Sequence, residues 1–176
     1  MLVGVVLAGL LCAALTWLLR RRTGWSWAVT LGLFVWSVLA VGLVTLLPAN
    51  GAPGWVSPEG RLDYCSTDIG GPAPDGFWIV PGGQRLLNLV VFVPSGALLV
   101  LVAARWPRTS WMTVPIGFAL LAAYAVAIEL TQLVLARLDR ACDVTDMIDN
   151  VTGAGVGVLL GVPLALVLGR RLRPPR

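Results

Sequence analysis

The sequence contains no histidine and no lysine, and only three cysteines in 176 residues. Without histidine there is no imidazole acid–base catalysis, no Ser–His or Cys–His nucleophile pair, and no His-ligated metal. Three cysteines are too few for a disulfide scaffold, and their spacing fits no zinc pattern; the leading reading below calls for no metal and no cofactor. Charge is also scarce, at 12% of residues, against roughly 25% in ordinary soluble domains. No internal repeat of the kind used by inverted-repeat transporters is present. What remains is apolar. Hydrophobic residues make up 57% of the chain and the mean hydropathy is +0.85, which excludes a water-soluble domain.

All thirteen basic residues are Arg, and the net charge is +4. Their placement in short clusters beside apolar runs is how membrane proteins set orientation, so nucleic acid is not an expected partner. Five apolar runs approach the roughly 20 residues needed to cross a hydrocarbon core of about 30 Å. They cover about Leu2–Leu19, Trp25–Leu47, Leu86–Ala104, Met112–Leu135 and Met147–Gly169. The first run lacks a basic start and a small-residue cleavage site, so it reads as a span and not as a cleaved signal. The expected fold is a single all-α integral membrane domain over residues 1–176, a bundle of five transmembrane helices in a multi-pass protein of the cell membrane.

Nine of the thirteen Arg residues (Arg20, Arg21, Arg22, Arg105, Arg108, Arg170, Arg171, Arg173 and Arg176) fall on one side of this topology. Arg61, Arg85, Arg137 and Arg140 fall on the other. The positive-inside rule then places the N-terminus outside and the C-terminus in the cytoplasm. Trp17, Trp25, Trp27, Trp106 and Trp111 sit at the cytoplasmic interface, where indoles prefer to lie. The long outer loop Pro48–Arg85 is rich in Pro and Gly and reads as irregular, with a short surface element near Phe77–Val80.

Polar side chains inside apolar spans are costly and need a reason. Glu129 lies about six residues before the outer end of span four, roughly 9 Å deep, with Gln132 on the same helical face. Asp146, Asn150, Gly153 and Gly157 follow the 4-3-4 spacing of one helical stripe, and Asp149 borders it. Span three begins at the same level with Arg85 and Asn88. The set expected to converge near the outer surface, and to bind any ligand, is Arg85, Asn88, Glu129, Gln132, Arg140, Asp143, Asp146 and Asn150. Gly153, Gly155 and Gly157 allow close helix approach, and Pro94 is placed to kink span three. The plainer reading is interhelical glue, in which Glu129 pairs with Arg140 and the amides share hydrogen bonds.

These residues also carry a resemblance. Thr45-Leu46-Leu47-Pro48 resembles a Thr-Leu-x-Pro span exit, Asn88 to Gly96 resembles N-x-x-x-F-x-P-x-G, and Glu129 to Gln132 resembles E-x-x-Q. Arg140 to Gly157 resembles R-x-x-D-x-x-D-x-x-x-N-x-x-G-x-x-x-G without gaps. Four such pieces in order, over about two thirds of the chain, are similar to the VanZ-like family of small envelope membrane proteins. The resemblance implies a link to glycopeptide resistance, teicoplanin in particular, without implying a settled activity. It marks Asn88, Phe92, Pro94, Gly96, Glu129, Gln132, Arg140, Asp143, Asp146, Asn150, Gly153 and Gly157, with Phe92, Pro94, Gly96, Gly153 and Gly157 in structural roles. The chain departs from the pattern in its long outer loop, with Cys65 there and Cys142 inside the last motif. Both lie on the oxidising side, where disulfides persist, and a Cys65–Cys142 bond would pin the loop over the polar cluster. The alternative is two unpaired small residues.

Three functions fit this reading. The leading one is binding or shielding of an amphipathic membrane lipid or a lipid-linked cell-wall precursor, with Arg85 and Arg140 offering forked donors to phosphate or carboxylate. A second is a metal- or carboxylate-dependent enzyme acting on an envelope lipid, with Glu129, Asp143 and Asp146 as catalytic candidates beside Asp149. Against it, Asp143 and Asp146 are also suited to capping span five. A third is a proton-coupled transporter or flippase with Glu129 as the titrating group.

Overall fold

The computed structural model describes residues 2–46, 64–69, 83–134 and 142–172. They form five helices: α1 (Leu2–Thr23), α2 (Trp25–Leu46), α3 (Gly83–Ala103), α4 (Ser110–Val134) and α5 (Val144–Leu172). All five are long and apolar enough to cross a membrane. Within hydrocarbon each backbone N–H and C=O must be satisfied inside its own segment, and a helix does so. Helices α3, α4 and α5 begin two or three residues before their apolar runs. A helical first turn tolerates polar residues such as Arg85 and Asp146, so hydropathy alone places the start late. The proposed surface element at Phe77–Val80 lies outside the described residues, as do Arg61, Arg137 and Arg140.

The bundle is apolar outside and partly polar inside. Leu10, Leu11, Leu159, Leu166 and Val167 are exposed, while Ser37, Thr45, Ser95, Glu129, Gln132 and Asn150 are buried. A lipid solvent accounts for this, since apolar side chains gain nothing by leaving it and polar ones do. The central core gathers Val41, Phe92, Leu99, Leu121, Ala125, Ile128 and Ala154. A Ser37–Ser95 hydroxyl pair at 3.0 Å and a Tyr124 hydroxyl donating to the Val38 carbonyl at 3.0 Å tie α2 to α3 and α4.

The closest pairing is between α3 and α5, which run parallel because α4, the helix between them in chain order, returns across the bundle. A Cβ added at Gly153 would overlap the Leu89 carbonyl, and one at Gly157 would overlap the Val93 carbonyl. On the facing side, a Cβ at Gly96 would overlap the Ala154 carbonyl. The two backbones therefore touch directly, in the small-residue manner of membrane helices. Phe92, one turn from this seam, is fully buried. Pro94 sits on the exposed side of α3, which continues through it to Ala103.

At the opposite end of α3, the corner between α1 and α2 is a single residue, Gly24, whose φ of 88° favours glycine. Arg105 donates from Nη1 to the Thr23 carbonyl at 2.7 Å, capping α1. Its guanidinium also lies 4.8 Å from the Trp27 ring centre. Trp27 in turn donates from Nε1 to the Val102 carbonyl at 3.1 Å, so this corner is fastened to the end of α3.

Replacing Gly157 with Leu should push α3 and α5 apart and lower stability by about 1–3 kcal/mol, the usual cost of overpacking. Gly155→Ala is the control, because its new Cβ would meet only the Phe118 ring at 3.7 Å. Unfolding in detergent followed by far-UV circular dichroism should separate the two variants.

Candidate functional site

The start of α3, the end of α4 and the start of α5 meet at one end of the bundle, opposite the Arg105 corner. The parallel α3–α5 pairing sets Arg85 beside Asp149. Arg85 donates from Nε to Asp149 Oδ2 at 2.8 Å and from Nη2 to Oδ1 at 3.0 Å, a two-pronged ion pair. The Arg85 side chain is half exposed and that of Asp149 nearly buried. This geometry matches guanidinium to carboxylate along both edges.

Asn88 follows Arg85 by about one turn on α3, and Asn150 directly follows Asp149 on α5. Asn150 is almost completely buried, at 1% exposure. Its Oδ1 and the Asn88 Nδ2 are both shielded from solvent, and neither has a hydrogen-bond partner. One is an acceptor and the other a donor, and leaving such atoms unmatched costs free energy in a low-dielectric interior.

The carboxylates have separate tasks. Asp143 is the N-cap of α5. Its Oδ1 accepts from the Thr145 backbone N–H at 2.8 Å, as an aspartate at a helix start does. The Asp143 backbone N–H in turn points to Glu129 Oε2 at 3.3 Å, so buried Glu129 anchors the entry to α5 from α4. Gln132 turns to α2, donating from Nε2 to the Thr45 carbonyl at 3.1 Å near that helix's last turn. Asp146 is half-buried in the first turn of α5. Among the described residues no three Cys, Asp or Glu side chains converge as metal donors.

A short strap covers the start of α5. Cys65 and Cys142 form a disulfide, and the Ser66 N–H donates to the Cys142 carbonyl at 2.9 Å. The Val144 N–H donates to the Ser66 carbonyl at 3.0 Å, completing a parallel bridge between Ser66 and Asp143. Thr145 Oγ1 reaches the Asp68 carbonyl at 3.4 Å. The strap's Ser66 carbonyl satisfies the Val144 N–H, a backbone donor at the helix start that otherwise needs water or a side chain.

Of the residues the sequence points to, Arg85, Asn88, Glu129, Asp143 and Asn150 come together at this end, with Asp146 in the same first turn of α5. Gln132 serves α2 instead, and Arg140 lies outside the described residues. Asp149, which the helical stripe placed only at its border, is the direct partner of Arg85. The signal for it was the parallel α3–α5 seam, which glycine spacing hints at but which only three-dimensional pairing fixes. The buried Ser37–Ser95 pair gave no sequence signal beyond two hydroxyls inside apolar runs.

Five membrane-crossing helices with a polar, disulfide-strapped cluster at one end define a multi-pass membrane protein. Within that class the assignment is specific: the family model for VanZ/LLP1 matches residues 5–167, nearly the whole length, and the chain belongs to this family. The chain matches no curated protein and no solved structure.

Two measurements check this geometry. Arg85→Ala should lower the unfolding midpoint more than Asp149→Asn, because the first leaves a nearly buried carboxylate without its cation while the second leaves a half-exposed arginine in contact with solvent. Adding Asp149→Asn to Arg85→Ala should recover part of the loss. Peptide mapping without reductant should recover Cys65 joined to Cys142, with buried Cys12 alkylated only after denaturation.

Proposed function

We propose that the cluster between α3, α4 and α5 binds an amphipathic envelope lipid or lipid-linked cell-wall precursor at the outer leaflet of the cell membrane. The observation that carries this reading is the pair of buried, unmatched amide atoms, Asn150 Oδ1 and Asn88 Nδ2. An acceptor and a donor at the same end of the paired helices suit a neutral polar group such as a hydroxyl or amide of a glycan or headgroup, which offers both. The apolar flanks of α3 and α5 suit an acyl or polyprenyl chain. Residue charge supports the outward orientation, since the opposite end carries Arg20, Arg21, Arg22, Arg105 and Arg108. The disulfide supports it as well, because such bonds persist on the oxidising side of a membrane.

Masking or sequestering a precursor at this position would alter sensitivity to glycopeptide antibiotics such as teicoplanin. The enzyme reading finds less support. Asp143 caps α5, Asp149 is held along both edges by Arg85, and Glu129 anchors the Asp143 backbone, so none of the three is poised as a paired acid and base. No specific observation favours the transporter reading.

The test is native mass spectrometry of protein extracted in detergent, comparing wild type with Asn88→Leu/Asn150→Leu. A lipid or polyprenyl-linked species retained by the wild type and lost by the variant, with the unfolding midpoint held or raised, is the expected result. Removing two unmatched polar groups together costs the fold little. No bound species in either sample, with the variant less stable, would assign the amides to helix packing instead.

A further inference from the structure

A second site lies at the other end of the bundle, in the corner between α1 and α2. Two arginines there have opposite fates. Arg105 is committed internally: it caps α1 through the Thr23 carbonyl and stacks on Trp27 and Trp106. Arg20 is not. Its guanidinium lies 4.9 Å from the Trp17 ring centre and 5.5 Å from that of Trp25. Its Nε is shielded from solvent and has no hydrogen-bond partner. Among the described residues no carboxylate pairs with it and no carbonyl accepts from it. The indoles hold the group by its π faces and leave its edge donors without a partner among the described residues.

An open recess of about 440 Å³ borders it, lined by Arg20, Arg21 and Trp25. Arg21 and Trp25 are both exposed, so a second cation and an indole stand at its mouth. Arg20 is in the last turn of a membrane-crossing helix, and Trp17 and Trp25 are residues of the kind that settle at headgroup level. At that depth the abundant anionic acceptor is a lipid phosphate, and two arginines favour a headgroup of net negative charge over a zwitterionic one.

We propose that Arg20, Arg21 and Trp25 form a binding site for the phosphodiester of an anionic phospholipid. Arg20 supplies an oriented fork, restrained by Trp17 and Trp25, and Arg21 adds the second charge from the rim. The acyl chains then lie along the exposed apolar faces of α1 and α2, where Leu18, Leu11 and Leu33 meet lipid. The site is separate from the α3–α5 cluster and shares no residue with it.

Delipidated full-length protein in a neutral detergent, titrated with phosphatidylglycerol, phosphatidylcholine or inorganic phosphate and read by native mass spectrometry, tests this. Phosphatidylglycerol should bind in preference to phosphatidylcholine, and Arg20→Gln/Arg21→Gln should weaken its binding by about tenfold. Arg108→Gln, an exposed arginine at the same end, should leave binding unchanged. Arg21→Gln alone alters only an exposed side chain, so a several-fold loss in that variant supports the site without any question of folding. Equal binding of the two lipids, equal loss with Arg108→Gln, or unchanged binding in Arg21→Gln would overturn the proposal. Inorganic phosphate binding as tightly as the lipid would also overturn it, by assigning the recess to a free anion.

Discussion

Direct backbone contact between α3 and α5 is the constraint on which the rest of the molecule depends. Where Gly153 and Gly157 face the Leu89 and Val93 carbonyls, no side chain separates the two helices. That approach fixes their rotation and their register, and both run in the same direction. Register in turn decides which polar residues meet, as Arg85 does with Asp149. In hydrocarbon the hydrophobic effect does not hold helices together, so close van der Waals packing and buried polar contacts carry that role. The seam supplies both.

The two ends of the bundle handle charge in different ways. At the α3–α5 start, Glu129, Asp149 and Asn150 are buried, the Cys65–Cys142 strap fastens the entry to α5, and Glu129, Asp143 and Asp149 each have a local task. At the α1–α2 corner, Arg21, Trp17 and Trp25 are exposed, while Trp27 is buried beneath Arg105. Arg105 stitches that corner to α3, while Arg20 is oriented by aromatic faces and left open along its edge. Among the described residues, charge gathers at these two ends, and the middle is kept for apolar packing and a few hydroxyls such as Ser37 and Ser95. Burying those hydroxyls as a mutual pair is less costly than exposing either to lipid.

Much of this was legible in the amino-acid order. Run length and hydropathy gave five helices close to their observed bounds, because a membrane leaves the backbone few alternatives to a helix. Helix starts were placed late because polar residues in a first turn do not register as apolar. Glu129, Asp143 and Asn150 stood out because charge or amide inside an apolar run is rare. The roles of individual residues were less legible. Gln132 shares a helical face with Glu129, yet it bonds to Thr45 on α2, since one face of a helix can meet two neighbours. Asp149 looked peripheral on its own helix and is central once α3 is placed.

The sequence by itself determined the class of protein, the number of spans, the belts of charge and the small-residue stripe on α5, because each follows from composition and local periodicity. Only the tertiary structure decided that α5 lies parallel against α3, that Asp149 and not another acid receives Arg85, and that Arg105 is committed while Arg20 is not. Those outcomes depend on which helices are neighbours and how they are rotated. That information resides in packing between segments distant in the chain, and no local pattern encodes it.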